Sequence, residues 1–293
     1  MMKTGVAMLL ITGASGRVAR RTATLLQQKG VPLRLMTRST DRVPPLPGTQ
    51  VMNADFSMPE TLDAAFAGIT TALIVSGSGK PGLRSQLHHN AFEAAARAQV
   101  KHIVYLSLQG ASPQSKYPYS RDHYASEQYL AATGVPHTVL RNSFYMDMFL
   151  DKFDASGTMC GPAGDGSGAF ISREDAAHTA AAVLTNPPGG IHDVTGPEVL
   201  TLTDIARRLS TLAGRELRYL PESAASARQR LSRQKKESWR IDLSVEWFEA
   251  IAAGELAHPS DAVHRFTGEQ PLTIEQYFGA FPALLQPLQS KAS

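Results

Sequence analysis

The chain has 293 residues, 43% of them hydrophobic and 19% charged, proportions that suit a globular protein with ample core and exclude a disordered or fibrous one. A formal net charge of +3 does not by itself call for nucleic acid, and no stretch approaches the roughly twenty apolar residues of a membrane helix. Cys160, the only cysteine, forms no internal disulfide, which fits a reducing, cytoplasmic compartment.

The opening carries Lys3 as its only positive charge, and its apolar run is interrupted by Gly13, so no signal peptide is expected. Residues 6–12 (V-A-M-L-L-I-T) are apolar or β-branched throughout, as suits a strand buried on both faces of a parallel sheet. Gly13 and Gly16 follow, and a helix is predicted over 17–29. Together they leave backbone N–H groups aimed at one spot, with the positive end of the helix dipole behind it, where a pyrophosphate would sit. Gly13 makes the sharp turn, Gly16 admits the phosphate, and Ala19 lets the helix pack closely on the strand. Ser15, Arg17 and Val18 share this loop and are candidate cofactor contacts. The spacing G-x-x-G-x-x-A is wider between the first glycines than in the common dinucleotide fingerprint. An ordinary tight turn without ligand is the plainer alternative.

Further strands are predicted over 32–37, 49–54, 70–75, 102–107 and 137–142, with helices over 60–66, 83–99 and 120–132. Strands separated by helices make right-handed βαβ units and a parallel sheet covered on both faces. The expected class is α/β, a Rossmann-type doubly wound sheet over residues 1–150. A smaller mixed α/β lobe over 151–293, partly interleaved with it, would shape a substrate pocket.

In such sheets ligands lie beyond the carboxyl ends of the strands. After the second strand stands Arg38, whose planar fork matches a phosphate, where an NAD site carries a carboxylate for the ribose 2′-OH. NADP(H) is therefore expected over NAD(H), although Asp41 lies close by and a solvated strand-end arginine would look the same. Asp55 and Phe56, after the third strand, suit an adenine; an aspartate in a turn before a helix is equally a cap. Ser76-Gly77-Ser78-Gly79 after the fourth strand would let the ribose and nicotinamide half pass close to backbone, and Ser107 ends the fifth.

The loop T-G-A-S-G, the basic end of the second strand, A-D-F at 54–56, the run from His88 to Ser107, and L-R-N-S-F-Y at 140–145 resemble the NmrA-like branch of the atypical short-chain dehydrogenase/reductases. Within it the likeness is to bacterial NAD(P)H:quinone oxidoreductases and triphenylmethane-dye reductases, and it fades after about Ala213. The resemblance implies a dinucleotide-dependent reductase with Asn142 near the nicotinamide and Phe144 and Tyr145 as an aromatic wall for a flat acceptor. The Tyr-x-x-x-Lys pair of ordinary short-chain dehydrogenases is absent. Tyr119 and His123 stand one helical turn apart instead, and His123 falls where relatives carry a histidine or a catalytic lysine. It could hold the nicotinamide ribose or relay a proton; a buried, hydrogen-bonded histidine is the alternative, as core packing is for Phe144 and Tyr145.

The glycine-rich stretch 161–168 reads as a loose lid or rim, with Cys160 beside it a packed residue. Helices are predicted over 202–213 and 244–253 with a strand at 216–220 between them. Segment 228–240 holds six basic residues and one acidic, either a solvated helix face or a surface for an anionic partner. His88 and His89 are adjacent and so diverge on a helix, without a third ligand; no metal is expected. Two functions are weighed. One is an NADPH-dependent reductase of a quinone or similar aromatic small molecule. The other is a non-catalytic NADP(H)-sensing regulator that binds a protein partner. Neither calls for a membrane or a nucleic acid, and oligomeric state is left open, a homodimer included.

Overall fold

The apolar run at the start of the chain forms β1 (Met8–Ile11), where Leu9, Leu10 and Ile11 are all buried, as a central parallel strand must be. The computed structural model describes residues 7–43, 45–77, 79–234 and 237–289; Lys3, Val6, Ser78, Lys235 and Lys236 lie outside the described residues. There follow α1 (Arg17–Gln28), β2 (Leu33–Thr37), β3 (Thr49–Asn53), α2 (Leu62–Phe66), β4 (Ile69–Val75), α3 (Leu83–Arg97), β5 (His102–Leu108), α4 (Pro118–Ala132) and β6 (His137–Asn142). Each was expected, with ends within about two residues. Thr12, just past β1, still ties to β4: its N–H donates to the Leu73 carbonyl at 3.0 Å and its Oγ1 accepts from the Val75 N–H at 2.9 Å. Pro118, with φ already set for a first helical turn, starts α4 earlier than expected.

The remainder comprises β7 (Thr158–Gly161), β8 (Ser167–Gly168), α5 (Arg173–Thr185), β9 (Gly190–Val194), β10 (Leu200–Thr201), α6 (Leu202–Ala213), β11 (Arg218–Pro221), α7 (Ala224–Ser232), α8 (Ser238–Ala252), α9 (Ala262–Thr267), α10 (Ile274–Ala280) and α11 (Gln286–Gln289). A seven-stranded parallel sheet has the order β3-β2-β1-β4-β5-β6-β9. The chain winds outward from β1 to β3 and then restarts on the other side of β1 with β4. That reversal is the topological switch point at which α/β sheets bind ligands. The α5–β9 unit that completes the sheet was not foreseen. The first residues of its strand, Gly190 and Ile191, are exposed, so it lacks the apolar run that announces a buried strand.

The chain divides into two compact units. One comprises Met1–Ser107, Asp122–Arg141 and Ala176–His192, the other Leu108–Arg121, Asn142–Asp175 and Asp193–Ser293. The first packs Leu10, Phe66, Ile74, Phe92, Tyr105 and Val139 into its core. The second is centred on Trp247, which stacks on Phe144 with ring centroids 5.1 Å apart and meets Phe149 and Phe248 edge-on at 5.5 and 4.8 Å.

Two expectations in the second unit are corrected. The 161–168 stretch is not loose: a Cβ on Gly161 would lie 2.5 Å from the Phe248 ring, one on Gly166 2.5 Å from the Ile251 carbonyl, and one on Gly168 2.6 Å from the Phe170 ring. Glycine is there for close packing, and Tyr219 closes the stretch by accepting from the Ala163 N–H at 2.9 Å and donating to the Gly161 carbonyl at 2.6 Å. The basic segment is not one helix but the end of α7, a turn and the start of α8. Arg228 pairs with Asp242 at 3.0 Å, Arg230 with Glu222, and Arg240 with Glu237 at 2.9 Å. Three of its six basic residues are thus paired within their own unit.

Candidate cofactor site

A cavity of about 330 Å³ opens at the carboxyl ends of β1 to β4. From the turn after β1 come Gly13, Ser15 and Gly16. Gly13 has φ +62°, in the left-handed region that side-chain-bearing residues disfavour. A Cβ on Gly16 would lie 3.2 Å from the Gly13 carbonyl, which itself accepts from the Gly16 N–H at 2.8 Å. The turn therefore brings bare backbone to the cavity at the N-terminus of α1. That helix has no side-chain cap and no acidic residue in its first turn, so the positive end of its dipole faces the cavity with no carboxylate of its own to offset it. Arg17 and Val18 begin the helix but are not cavity wall, and Val18 is buried.

After β2 the wall is Thr37, Arg38, Ser39 and Arg42. A short 3-10 turn over Thr40–Arg42 returns the second arginine to the cavity beside the first. Sequence reading found Arg38 and missed Arg42, although R-S-T-D-R already held both. Asp41, which had argued for NAD, sits in the same turn and is not among the lining residues. After β3, Asp55 and Phe56 both line the cavity. Asp55 Oδ1 also accepts from the Ser57 N–H at 2.9 Å, so it shapes its own turn while lining the cavity, and it does not cap the short helix that follows, whose N-cap is Met58. After β4 come Ser76 and Gly77. The wall is thus polar and basic where a dinucleotide's phosphates would lie, and apolar at Met36 and Leu87, a donor set that fits a phosphorylated dinucleotide.

Other candidates lie elsewhere. Ser107 is not cavity wall: its hydroxyl donates to Glu127 Oε1 at 2.5 Å, and Arg141 grips the same carboxylate at 2.9 and 2.5 Å. His123 is buried. Its Nε2 lies 3.3 Å from Arg84 Nη2 and its Nδ1 2.7 Å from Tyr105 Oη. An arginine only donates, so Nε2 accepts and Nδ1 carries the proton toward Tyr105. Burial first, then the charges of Arg84, His88 and Arg141, hold His123 well below its ordinary pKa, and it stays neutral at physiological pH. His88 is pushed down to about 3 by burial and Arg84. His89 instead packs on Tyr129, with ring centroids 4.8 Å apart.

In the second unit, Tyr119 meets Tyr117 edge-on at 5.4 Å. Asn142 Nδ2 donates to Tyr145 Oη at 3.1 Å. The Tyr145 ring lies 4.2 Å from the Arg173 guanidinium, whose Nε donates to Asp147 at 2.8 Å. Burial raises the Tyr145 pKa. Asn142 Oδ1 is buried without a hydrogen-bond partner among the described residues. Phe144, stacked on Trp247, is core.

A family model described as NAD(P)H-binding matches residues 13–187. The NAD(P)H azoreductase of Xenophilus azovorans is 27% identical over 285 residues, covering 94% of this chain and 98% of the relative. Quinone oxidoreductase 2 of Escherichia coli (strain K12) is 29% identical over 279 residues, covering 92% and 96%. Among solved structures, the NADPH-dependent quinone oxidoreductase of Escherichia coli complexed with NADPH aligns with a TM-score of 0.85 at 27% identity, over 94% of this chain and 99% of that one. Citrobacter sp. triphenylmethane reductase complexed with NADP(H) aligns at 0.83 and 27%, over 93% and 99%. With a glycine cradle, two arginines after β2 and a switch point between β1 and β4 already in hand, the match over most of the sheet-bearing unit establishes that the chain belongs to the NAD(P)H-binding family.

Proposed function

We propose that this NAD(P)H-dependent oxidoreductase prefers NADPH and passes its hydride to a quinone or a similar flat conjugated acceptor. The observation that carries the cofactor preference is the pair Arg38 and Arg42 on one cavity wall with Thr37 and Ser39. Two guanidinium groups and two hydroxyls suit a 2′-phosphate and offer a bare ribose no carboxylate there. The acceptor class is supported by the quinone and azo reductases to which the chain is similar over nearly its whole length.

Bound NADPH supplies the hydride, and the protein's part is binding and orientation. The turn at Gly13 and Gly16 receives the pyrophosphate on backbone N–H groups. Arg38 and Arg42 hold the 2′-phosphate, Asp55 and Phe56 the adenine, and Ser76 and Gly77 the nicotinamide half. Asn142 and Tyr145 are the proposed contacts to the acceptor, with Phe144 behind them. The unpartnered Asn142 Oδ1 is an acceptor that the O–H of the reduced acceptor, a hydroquinone, would satisfy. Quinone oxygens collect protons from water, so neither His123 nor Tyr119 has to deliver one. A cytoplasmic setting, in which a lone thiol stays reduced, fits the whole.

The test is to mix the purified protein with NADPH and a panel of quinones and azo compounds and follow the absorbance of the reduced nicotinamide. Turnover with NADPH outpacing that with NADH is expected. Tight NADPH binding without turnover of any acceptor would favour the sensing role instead.

A further inference from the structure

Arg84, in the first turn of α3, is only 6% exposed, a rare state for arginine. Its guanidinium faces the loop that follows β4. Nε donates to the Gly77 carbonyl at 2.9 Å, and Nη2 donates to Ser76 Oγ and, at 3.3 Å, to His123 Nε2. Ser76 and Gly77 are cavity wall, whereas Arg84 is not. A Cβ added to Gly79 would lie 3.5 Å from Arg84 Cγ, so the arginine's stem lies directly against the same loop. Beyond His123 the chain of contacts continues inward. Tyr105 Oη lies 2.7 Å from His123 Nδ1 and 3.0 Å from His88 Nδ1. His88 Nδ1 lies 2.8 Å from Ser126 Oγ, which donates to the Asp122 carbonyl at 2.7 Å.

A loop is the part of a Rossmann sheet least held by secondary structure. Here one planar fork grips it at a carbonyl and at a hydroxyl, and a buried ring grips the fork. The groups facing His123 are Arg84 and His88 from α3, Tyr105 from β5 and Arg141 from β6, while Asp122 and Glu127, on the helix that carries His123, act on Tyr105. Only a neutral imidazole can accept from a guanidinium, and burial keeps this one neutral.

We propose that Arg84 is a positioning residue: through Ser76 and Gly77 it sets the wall on which the nicotinamide half of the dinucleotide rests, with His123 as the hydrogen-bond acceptor that holds its guanidinium in place. The proposal rests on the reading of this cavity as the NADP(H) site. Hydride transfer is sensitive to the placement of its partners, so loosening this wall slows the chemical step more than it weakens binding, which the cradle and the two arginines after β2 supply.

Arg84→Lys, Ser76→Ala, the double variant and His123→Gln are compared with wild type in the full chain for kcat with a quinone, for NADPH Kd by calorimetry and for melting temperature. Arg84→Lys is expected to lower kcat about 10- to 100-fold, as about 1 Å of misplacement does, while NADPH Kd moves by less than about threefold, a shift of under about 0.7 kcal/mol. Adding Ser76→Ala to Arg84→Lys removes little more, because Ser76 acts through a contact that Arg84→Lys has already loosened. The kcat of wild type stays flat between about pH 6 and 8, and His123→Gln, which retains an acceptor, loses less than Arg84→Lys. Additive losses, an Arg84→Lys kcat within about twofold of wild type, or losses of kcat, Kd and melting temperature in parallel overturn the proposal. So does a wild-type pH limb that His123→Gln abolishes, since that makes His123 an acid. If Arg84→Lys does not fold, Ser76→Ala decides, and an unchanged kcat there overturns the idea. A wild-type chain that takes up no NADPH refutes the underlying cavity reading instead, which the calorimetry reads separately.

Discussion

Arg38 and Arg42 are the two side chains of the sheet-bearing unit on which the proposed preference for NADPH rests. Both are exposed at the cavity wall, where a guanidinium is discounted by solvent screening until a phosphate arrives. Against a bound 2′-phosphate the hydrogen bonds become charge-assisted, at about 1.5–3 kcal/mol each. Arg38→Glu removes one and adds repulsion, so the KM for NADPH is expected to rise by about 10- to 100-fold, with little change for NADH. Steady-state kinetics with both coenzymes checks this, and an equal loss for the two would show that Arg38 does not read the phosphate. Asp55 shows that one carboxylate can shape its own turn and still line the cavity. His123 teaches a different point. Its identity drew a catalytic role from the sequence, but burial and the facing guanidinium make it a neutral acceptor.

The α3, β5 and α4 elements together enclose that histidine and His88, and their stability carries a pH signature. His88 falls to about 3 in the folded chain, against about 6.5 in the unfolded chain, and His123 is also lowered. Both remain neutral in the fold, whereas the unfolded chain takes up protons below about pH 6.5. Their contribution is therefore fully present above that pH and is lost as pH falls toward 3, at up to about 1.4 kcal/mol per pH unit for each group. Urea unfolding midpoints measured from pH 7.5 down to 4.5 should fall steeply below about 6.5, and a flat profile would contradict neutral burial. In the second unit the strict positions are glycines in the connections between elements. A Cβ on Gly196 would lie 1.9 Å from the Phe170 carbonyl oxygen, a backbone clash that no rotamer relieves. Gly196→Ala is expected to cost more than about 3 kcal/mol and to leave mostly insoluble protein. A variant that melts with wild type would mean that the Phe170 backbone can yield.

For the protein as a whole, ligand and fold are linked by mass action. NADPH at about one hundred times its Kd adds about 2.7 kcal/mol to the state that binds it, so the melting midpoint should rise by several degrees and the rise should grow with concentration. Scanning calorimetry with NADPH and NADH in parallel tests both binding and preference, and no shift with either would remove the dinucleotide from the account.

The parts legible in the amino-acid order are those set by local physics. The unbroken apolar run into β1, the glycines that follow it and the regular alternation up to β6 read directly as a parallel sheet with an anion cradle. Each of these features is a propensity or a period within a few residues. What the order left hidden depends on partners distant in the chain. Gly161 and Gly168 looked loose because the Phe248 and Phe170 rings that crowd them are not visible in a run of glycines. The charge of 228–240 looked unpartnered because Glu222 and Asp242 flank it from outside. Arg84 drew no notice as one more helical arginine until the fold buried it between Ser76 and His123. Periodicity reports how a residue relates to its neighbours, whereas burial and pairing are properties of the closed structure, and it is these that bring Arg84 and His123, far apart in the chain, to 3.3 Å from each other.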